Sequence, residues 1–236
     1  MLSQPVPLSS ETHRNTRVKQ SPTIEHVKNS HLASITVHEF IAAAPEYPIA
    51  FVRTPNTNAI RPVVVWGVEP EQNLFVVDDQ WKGGYVPAAV RCFPFVTSLQ
   101  EVEGERRIFI GIHADSEIVN EEEGERLFDD EGKETEWFKK NIEFINSVTA
   151  RDEQSLVFAK TPEDMGLIQS LQVTFKDPEG KDRRIEGLMA VDPKKFQELS
   201  DEDFLKLRKQ NMLDPIYAHL MSLENVNKLL SRRYAA

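Results

Sequence analysis

Apolar positions change their spacing several times along the chain, and each change marks an element. Residues 1–35 are rich in Ser, Thr, Pro, Asn and His, a composition that predicts a flexible leader. Thr36-x-x-Glu39 then has the form of a capping box. Val37, Phe40, Ile41 and Ala44 follow at helical spacing, and Pro45 closes the helix. Beyond it the runs are short and rich in β-branched residues. Strands are predicted at Ile49–Arg53, Pro62–Val68, Asn73–Val77, Val86–Val96 and Glu105–His113. Turn-like Thr54–Asn58, Glu69–Gln72 and Asp78–Gly84 separate the first four. Connections this short favour antiparallel pairing, because parallel strands need long crossovers.

The second half of the chain turns helical. Asp115–Glu136 reads as an acidic loop, after which Thr135 caps a helix running to about Ala150. Thr161-Pro162-Glu163-Asp164 combines a cap, a first-turn proline and two first-turn acids, and predicts the start of another helix. Leu171–Phe175 and Ile185–Val191 flank Asp177-Pro178-Glu179-Gly180 as a hairpin. Ser200 caps a helix carrying Phe204 and Leu207. Asp214-Pro215 opens the last one, with Ile216, Leu220, Leu223 and Leu230 on a stripe. Strands first and helices later define an α+β class: a mostly antiparallel β-sheet flanked by an N-terminal helix and C-terminal helices. The expected organisation is one domain over residues 36–236 behind the leader.

Composition narrows the function classes. The 236 residues carry a net charge of −10, which disfavours phosphate backbones, so no nucleic-acid partner is expected. Eleven acids stand against Arg126 and Lys133 between Asp115 and Glu136, so most of the negative charge is local. Cys92 is the only cysteine, which excludes an intrachain disulfide or a thiolate zinc site. The start, MLSQPVPLSSETHRNTRVKQ, has no signal-peptide core, and no apolar run is long enough to span a membrane. The expected location is the cytoplasm. Nucleotide-binding loops, a nucleophile elbow and an H-E-x-x-H pattern are all lacking.

Several segments together resemble the SapC family. They are Glu39-Phe40, Tyr47-Pro48-Ile49-Ala50-Phe51-Val52, Asn73-Leu74-Phe75-Val76, Trp81, Tyr85-Val86-Pro87 and Arg91-x-Phe93-Pro94-Phe95. Gly124-Glu125-Arg126-Leu127-Phe128-Asp129 and His219-Leu220-x-Ser222-Leu223 extend the likeness toward the C-terminus. The resemblance implies a bacterial protein linked to a surface-layer locus or to halogenase-like neighbours. It implies no activity, cofactor or catalytic residue.

Two constellations carry candidate chemistry. Trp81, Tyr85 and Arg91 sit around a Gly-Gly pair and offer flat apolar surface with a bidentate donor, a set that suits a peptide or another carboxylate-bearing ligand. The competing reading is a strand pair whose aromatics fill the core. From the first reading the leading expectation is a non-catalytic binding or accessory protein for a peptide or protein partner. The alternative is a non-haem iron oxygenase holding Fe through His113, Asp115 and His219, with Arg232 or Arg233 gripping a co-substrate carboxylate. Against it, His219 shares a helical stripe with Leu223 and Leu230, where a histidine is usually a hydrogen-bonded core residue. Cys92 reads as a small buried hydrophobe. Asp129–Gly132 fails as an EF-hand, since Leu127 and Phe138 fall at the first and twelfth loop positions.

Overall fold

The computed structural model describes residues 2–20, 23–55, 57–102, 104–177 and 179–235. In chain order the first strands are β1 (Val6–Pro7), β2 (Arg17–Val18) and β3 (Leu32–Ser34). A single 3₁₀ turn, Val37–Glu39, runs into α1 (Phe40–Ala43). Then come β4 (Ile49–Arg53), β5 (Ile60–Val65), β6 (Val76–Val77), β7 (Gln80–Trp81) and α2 (Ala88–Arg91). The hairpin β8 (Phe95–Val102) and β9 (Glu105–Ile112) precedes β10 (Val119–Asn120), β11 (Glu125–Arg126) and the 29-residue α3 (Glu136–Asp164). Strands β12 (Ile168–Ser170), β13 (Val173–Lys176), β14 (Asp182–Ile185) and β15 (Leu188–Val191) follow. The chain ends in α4 (Pro193–Gln197), α5 (Asp201–Lys209), α6 (Leu213–Ser222) and α7 (Asn225–Ala235). Every strand pairing is antiparallel and helices close the chain, an α+β fold.

The chain forms two compact units. One comprises Met1–His26 and Ala88–Ala150, the other Val27–Pro87 and Arg151–Ala236. The first unit holds the sheets β1-β9-β8 and β10-β2-β11. Its core joins Val18, Phe95, Ile112, Leu127, Phe138 and Ile145. The second holds the five-stranded sheet β12-β15-β4-β5-β3 and two small hairpins, around fully buried Trp66, Tyr47, Phe40 and Phe51.

The segment read as a leader supplies β1, β2 and β3. At β2 the docking rests on packing, with Val18 3% exposed in the core of the first unit, and on the strand ladder. Both β10 and β11, from the acidic run, pair with β2. Arg17 donates to the Gly124 carbonyl at 2.9 Å, and Lys19 meets Glu123 at 3.0 Å. The acids expected to lie in an open loop thus have cations within their own unit. Each exposed pair is weak by itself, but the ladder fixes the geometry of all of them.

Elsewhere the elements follow local chemistry, with corrections. The capping box forms: the Glu39 carboxylate accepts from the Thr36 amide at 3.0 Å. The strand expected across Val86–Val96 is a helical turn at Ala88–Arg91 followed by β8, since Pro87 cannot donate to a ladder. The two helices expected near Thr135–Ala150 and Thr161 are one. Residues 151–160 contain no breaker, and Pro162 stands two residues before the helix ends at Asp164, so the bond it cannot make to the Phe158 carbonyl is lost only in the last turn. Gly166, at φ +69, ends it with Leu167 N bonded to the Pro162 carbonyl. The hairpin at 177–180 joins β13 to β14, its Pro178 lying outside the described residues, as does Asn56 of the 54–58 turn. Ile185–Val191 is split at Gly187, at φ +79, so β15 leaves the hairpin and joins the main sheet beside β4. The last expected helix is two, α6 and α7, broken at Leu223-Glu224. Among the described residues no helix is long and apolar enough to cross a membrane.

Candidate functional site

Trp81 and Tyr85 meet around Tyr47 in the second unit. Asp78 and Asp79, at φ 51 and 55, form the two-residue turn between β6 and β7, the left-handed pair that a tight hairpin requires. That turn sets Trp81 beside Val76 and against Trp66, with ring centroids 4.9 Å apart. Tyr47 lies 4.8 Å from the Phe75 ring and donates from its hydroxyl to the Tyr85 carbonyl at 2.5 Å. Burial, with help from the Glu46 charge, pushes the Tyr47 phenol well above its usual range. The Glu46 carboxylate accepts from the amides of Gly84 at 2.7 Å and Tyr85 at 3.0 Å. The Tyr85 hydroxyl donates to Glu39 at 2.7 Å.

The close approach that the Gly-Gly pair permits is therefore taken by the protein itself. A Cβ on Gly83 would stand 2.2 Å from the Tyr47 hydroxyl and 2.7 Å from Trp81 Nε1. Among the described residues the buried Nε1 atoms of Trp66 and Trp81 have no hydrogen-bond partner. Arg91 belongs to the other unit, at the end of α2, exposed, with its guanidinium 5.2 Å above the Phe144 ring. Tyr85→Phe is expected to cost about 1.5 kcal/mol, because the buried Glu39 carboxylate loses a donor. Urea unfolding of the variant measures it; an unchanged midpoint would return Tyr85 to the role of a ligand contact.

The HxD pair and His219 have local partners. In the first unit His113 Nδ1 lies 3.1 Å from the Ser3 carbonyl and Asp115 accepts from the Ser3 amide at 2.7 Å, so the two side chains clasp one residue of the N-terminal strand region. The Ser3 amide holds the Asp115 carboxyl below its ordinary range. Phe93 stands between two imidazoles, stacked on His26 at 4.0 Å and 5.6 Å from His113. His26 Nε2 faces the Val90 carbonyl at 3.1 Å and so carries the proton. In the second unit His219 is fully buried and its Nε2 accepts from the Val191 amide at 3.0 Å, tying α6 to β15. That lone pair is engaged, and the neutral ring keeps its proton on Nδ1. Among the described residues no three His, Cys, Asp or Glu side chains are grouped as metal ligands. Cys92 is half-buried just after α2 rather than in a strand.

Grooves on the surfaces of the units include one in the first unit and two in the second, and Trp81, Tyr85 and Arg91 line none of these. The groove in the first unit has a volume of about 1250 Å³. Val6, Leu8, Ile108, Ile110, Phe138 and Ile142 give it apolar walls, and Lys133, Glu134 and Lys139 a polar rim. In the second unit one of about 570 Å³ includes exposed Ile41 and Val157, and one of about 370 Å³ runs beside β12. The large groove was not anticipated. Its signal in the sequence is the apolar island Pro5–Leu8 inside an otherwise polar leader.

Antiparallel sheets with helices closing the chain define an α+β protein. The SapC family model matches residues 8–229, and the chain belongs to that family. No curated protein and no solved structure matches it.

Proposed function

We propose that this SapC-family chain is a non-catalytic binding or accessory protein that receives a peptide or protein segment in the large groove of its first unit. The setting that fits the family is a bacterial envelope or halogenase-linked system. The supporting observation is the groove: about 1250 Å³, with aliphatic walls inside a polar rim, and with Ile108 40% and Val6 40% exposed. Aliphatic side chains left in water at the lip of a concavity are stabilised when an apolar segment covers them. The overall charge of −10 argues for a protein partner over nucleic acid.

A selection from a random peptide display library tests this with the purified full chain. The expected result is enrichment of a shared motif with at least one large apolar residue. Val6→Asp combined with Ile108→Asp is expected to weaken binding of the enriched peptides about tenfold or more, with thermal unfolding unchanged because both positions are exposed. Selection that yields no shared motif, or peptides that bind the double variant equally well, would reject the proposal.

A further inference from the structure

Strand β8 has an open edge. It pairs with β9 over eight residues in one unbroken register, from Phe95↔Ile112 to Val102↔Glu105. Along that register hydrogen-bonded pairs alternate with non-bonded ones, and Val96 with Gly111 and Ser98 with Phe109 are bonded pairs. The bond from His113 N to the Pro94 carbonyl continues the same phase. The amides and carbonyls of Thr97, Leu99 and Glu101 therefore point away from β9. Among the described residues none of them meets another backbone group. The side chains of Thr97, Ser98, Gln100 and Glu101 are exposed, and among the described residues the one side-chain contact to another element along the edge is the Thr149 hydroxyl of α3, 3.4 Å from that of Thr97.

Edges of this length are normally blunted by a lysine, a proline or a bulge. The stretch Phe95-Val-Thr-Ser-Leu-Gln-Glu-Val102 has none of these. Its hairpin is also thinly supported: β1 covers β9 only at Gly111 and Ile112, with Leu8 N reaching the Ile110 carbonyl. Ile108 and Phe109, 40% and 42% exposed, leave the distal part of the ribbon in water. A two-stranded ribbon without further cover is marginal, and a third strand along β8 would stabilise it.

We propose that β8 of a second copy of this chain supplies that strand, in an antiparallel pairing across a two-fold axis at Leu99. The strand is complementary to itself in that register. On either side of that axis Thr97 pairs with Glu101 of the second copy, so a hydroxyl faces a carboxylate and no like charges meet. Any other protein's strand would have to compete with a copy that is always present at the chain's own concentration. The two three-stranded sheets join as one of six strands, in the symmetry commonest among oligomers. Two chains of net charge −10 repel each other, so the dimer tightens as salt is raised. The groove takes in Val96, Ser98, Gln100 and Ile108, but the pairing proposed here runs through Thr97, Leu99 and Glu101, which do not line it, so the two readings fail separately.

Sedimentation velocity of the full chain over a range of micromolar concentrations is the test. The expected result is a monomer–dimer equilibrium that shifts toward dimer with added salt. Glu101→Pro removes an outward amide and spares the bonds to β9, so it is expected to give monomers with unaltered circular dichroism. Thr97→Glu places two carboxylate pairs across the axis and is expected to raise the dissociation constant about tenfold. Adding Glu101→Lys to Thr97→Glu turns both pairs into opposite charges and is expected to restore the dimer. A chain that stays monomeric at all concentrations and salts overturns the proposal and leaves the edge to another protein's strand. A dimer that ignores both Glu101→Pro and the charge swap overturns it equally.

Discussion

Replacing Gly83 by alanine is expected to destabilise the second unit by about 4 kcal/mol, as two effects combine. The new methyl would stand 2.2 Å from the Tyr47 hydroxyl. A flexible side chain could step aside, but Tyr47 is fully buried and hemmed in by the rings of Phe75, Trp66 and Trp81. Overpacking of that kind costs roughly 1–3 kcal/mol. If the phenol retreats it also leaves the Tyr85 carbonyl, and a buried hydroxyl without a partner adds about 1–3 kcal/mol. Gly84→Ala is the control. Its Cβ would meet only the Glu46 carboxylate, at 3.2 Å, on a side chain that can rotate. Thermal unfolding followed by circular dichroism should show a loss of about 10 °C for Gly83→Ala and far less for Gly84→Ala. Equal, small shifts would mean that the Gly83 approach is not the tight joint described above, and would reopen that site to a ligand.

That contrast also shows what could be read in the sequence and what could not. Local signals were legible where one or two residues decide the conformation. Thr36 and Glu39 form the predicted capping box, Ser200 caps α5 by accepting from Asp203 N, and Ile49–Arg53 is the strand its short apolar run predicts. Signals failed where a distant partner decides. Nothing adjacent to Arg17 and Val18 predicts a strand; they become one because β10 and β11 close on both sides of them. The Trp81–Arg91 cluster was legible as a concentration of aromatics, but proximity in sequence did not fix a shared site. Tyr47, from the residues preceding β4, takes the space beside Gly83, and Arg91 folds into the other unit. The HxD pair shows the same limit, since its partner is Ser3, more than a hundred residues earlier. The groove was the least legible feature, because its walls come from the leader, the β8–β9 hairpin and the start of α3.

Acid is expected to weaken both units through two histidines before the carboxylates begin to titrate. Burial pushes His219 in the second unit and His26 in the first down to about 4, from an ordinary value of 6.5. Burial also lowers His31. A histidine kept neutral by the fold binds its proton in the unfolded chain first. Between about pH 6.5 and about pH 4 the unfolded state therefore holds more protons, and stability falls as pH falls through that window. Above it the contribution is fully present. At about 1.4 kcal/mol for each unit of lowering, His219 accounts for about 3 kcal/mol. His26, nearer the surface, accounts for less. The carboxyls of Asp115, Asp129, Glu136 and Asp177 are held below their ordinary values, so their losses come at lower pH. Guanidinium unfolding at about pH 7.5 and about pH 4.5 should show the difference. His219→Gln keeps an acceptor for the Val191 amide and removes the titration, so it should flatten the pH dependence of the second unit even if it lowers stability at neutral pH. His26→Gln should do the same for the first unit. Variants that keep the slope of the unaltered chain would show that the two imidazoles are protonated in place, and that neither unit is closed around them as tightly as their burial implies.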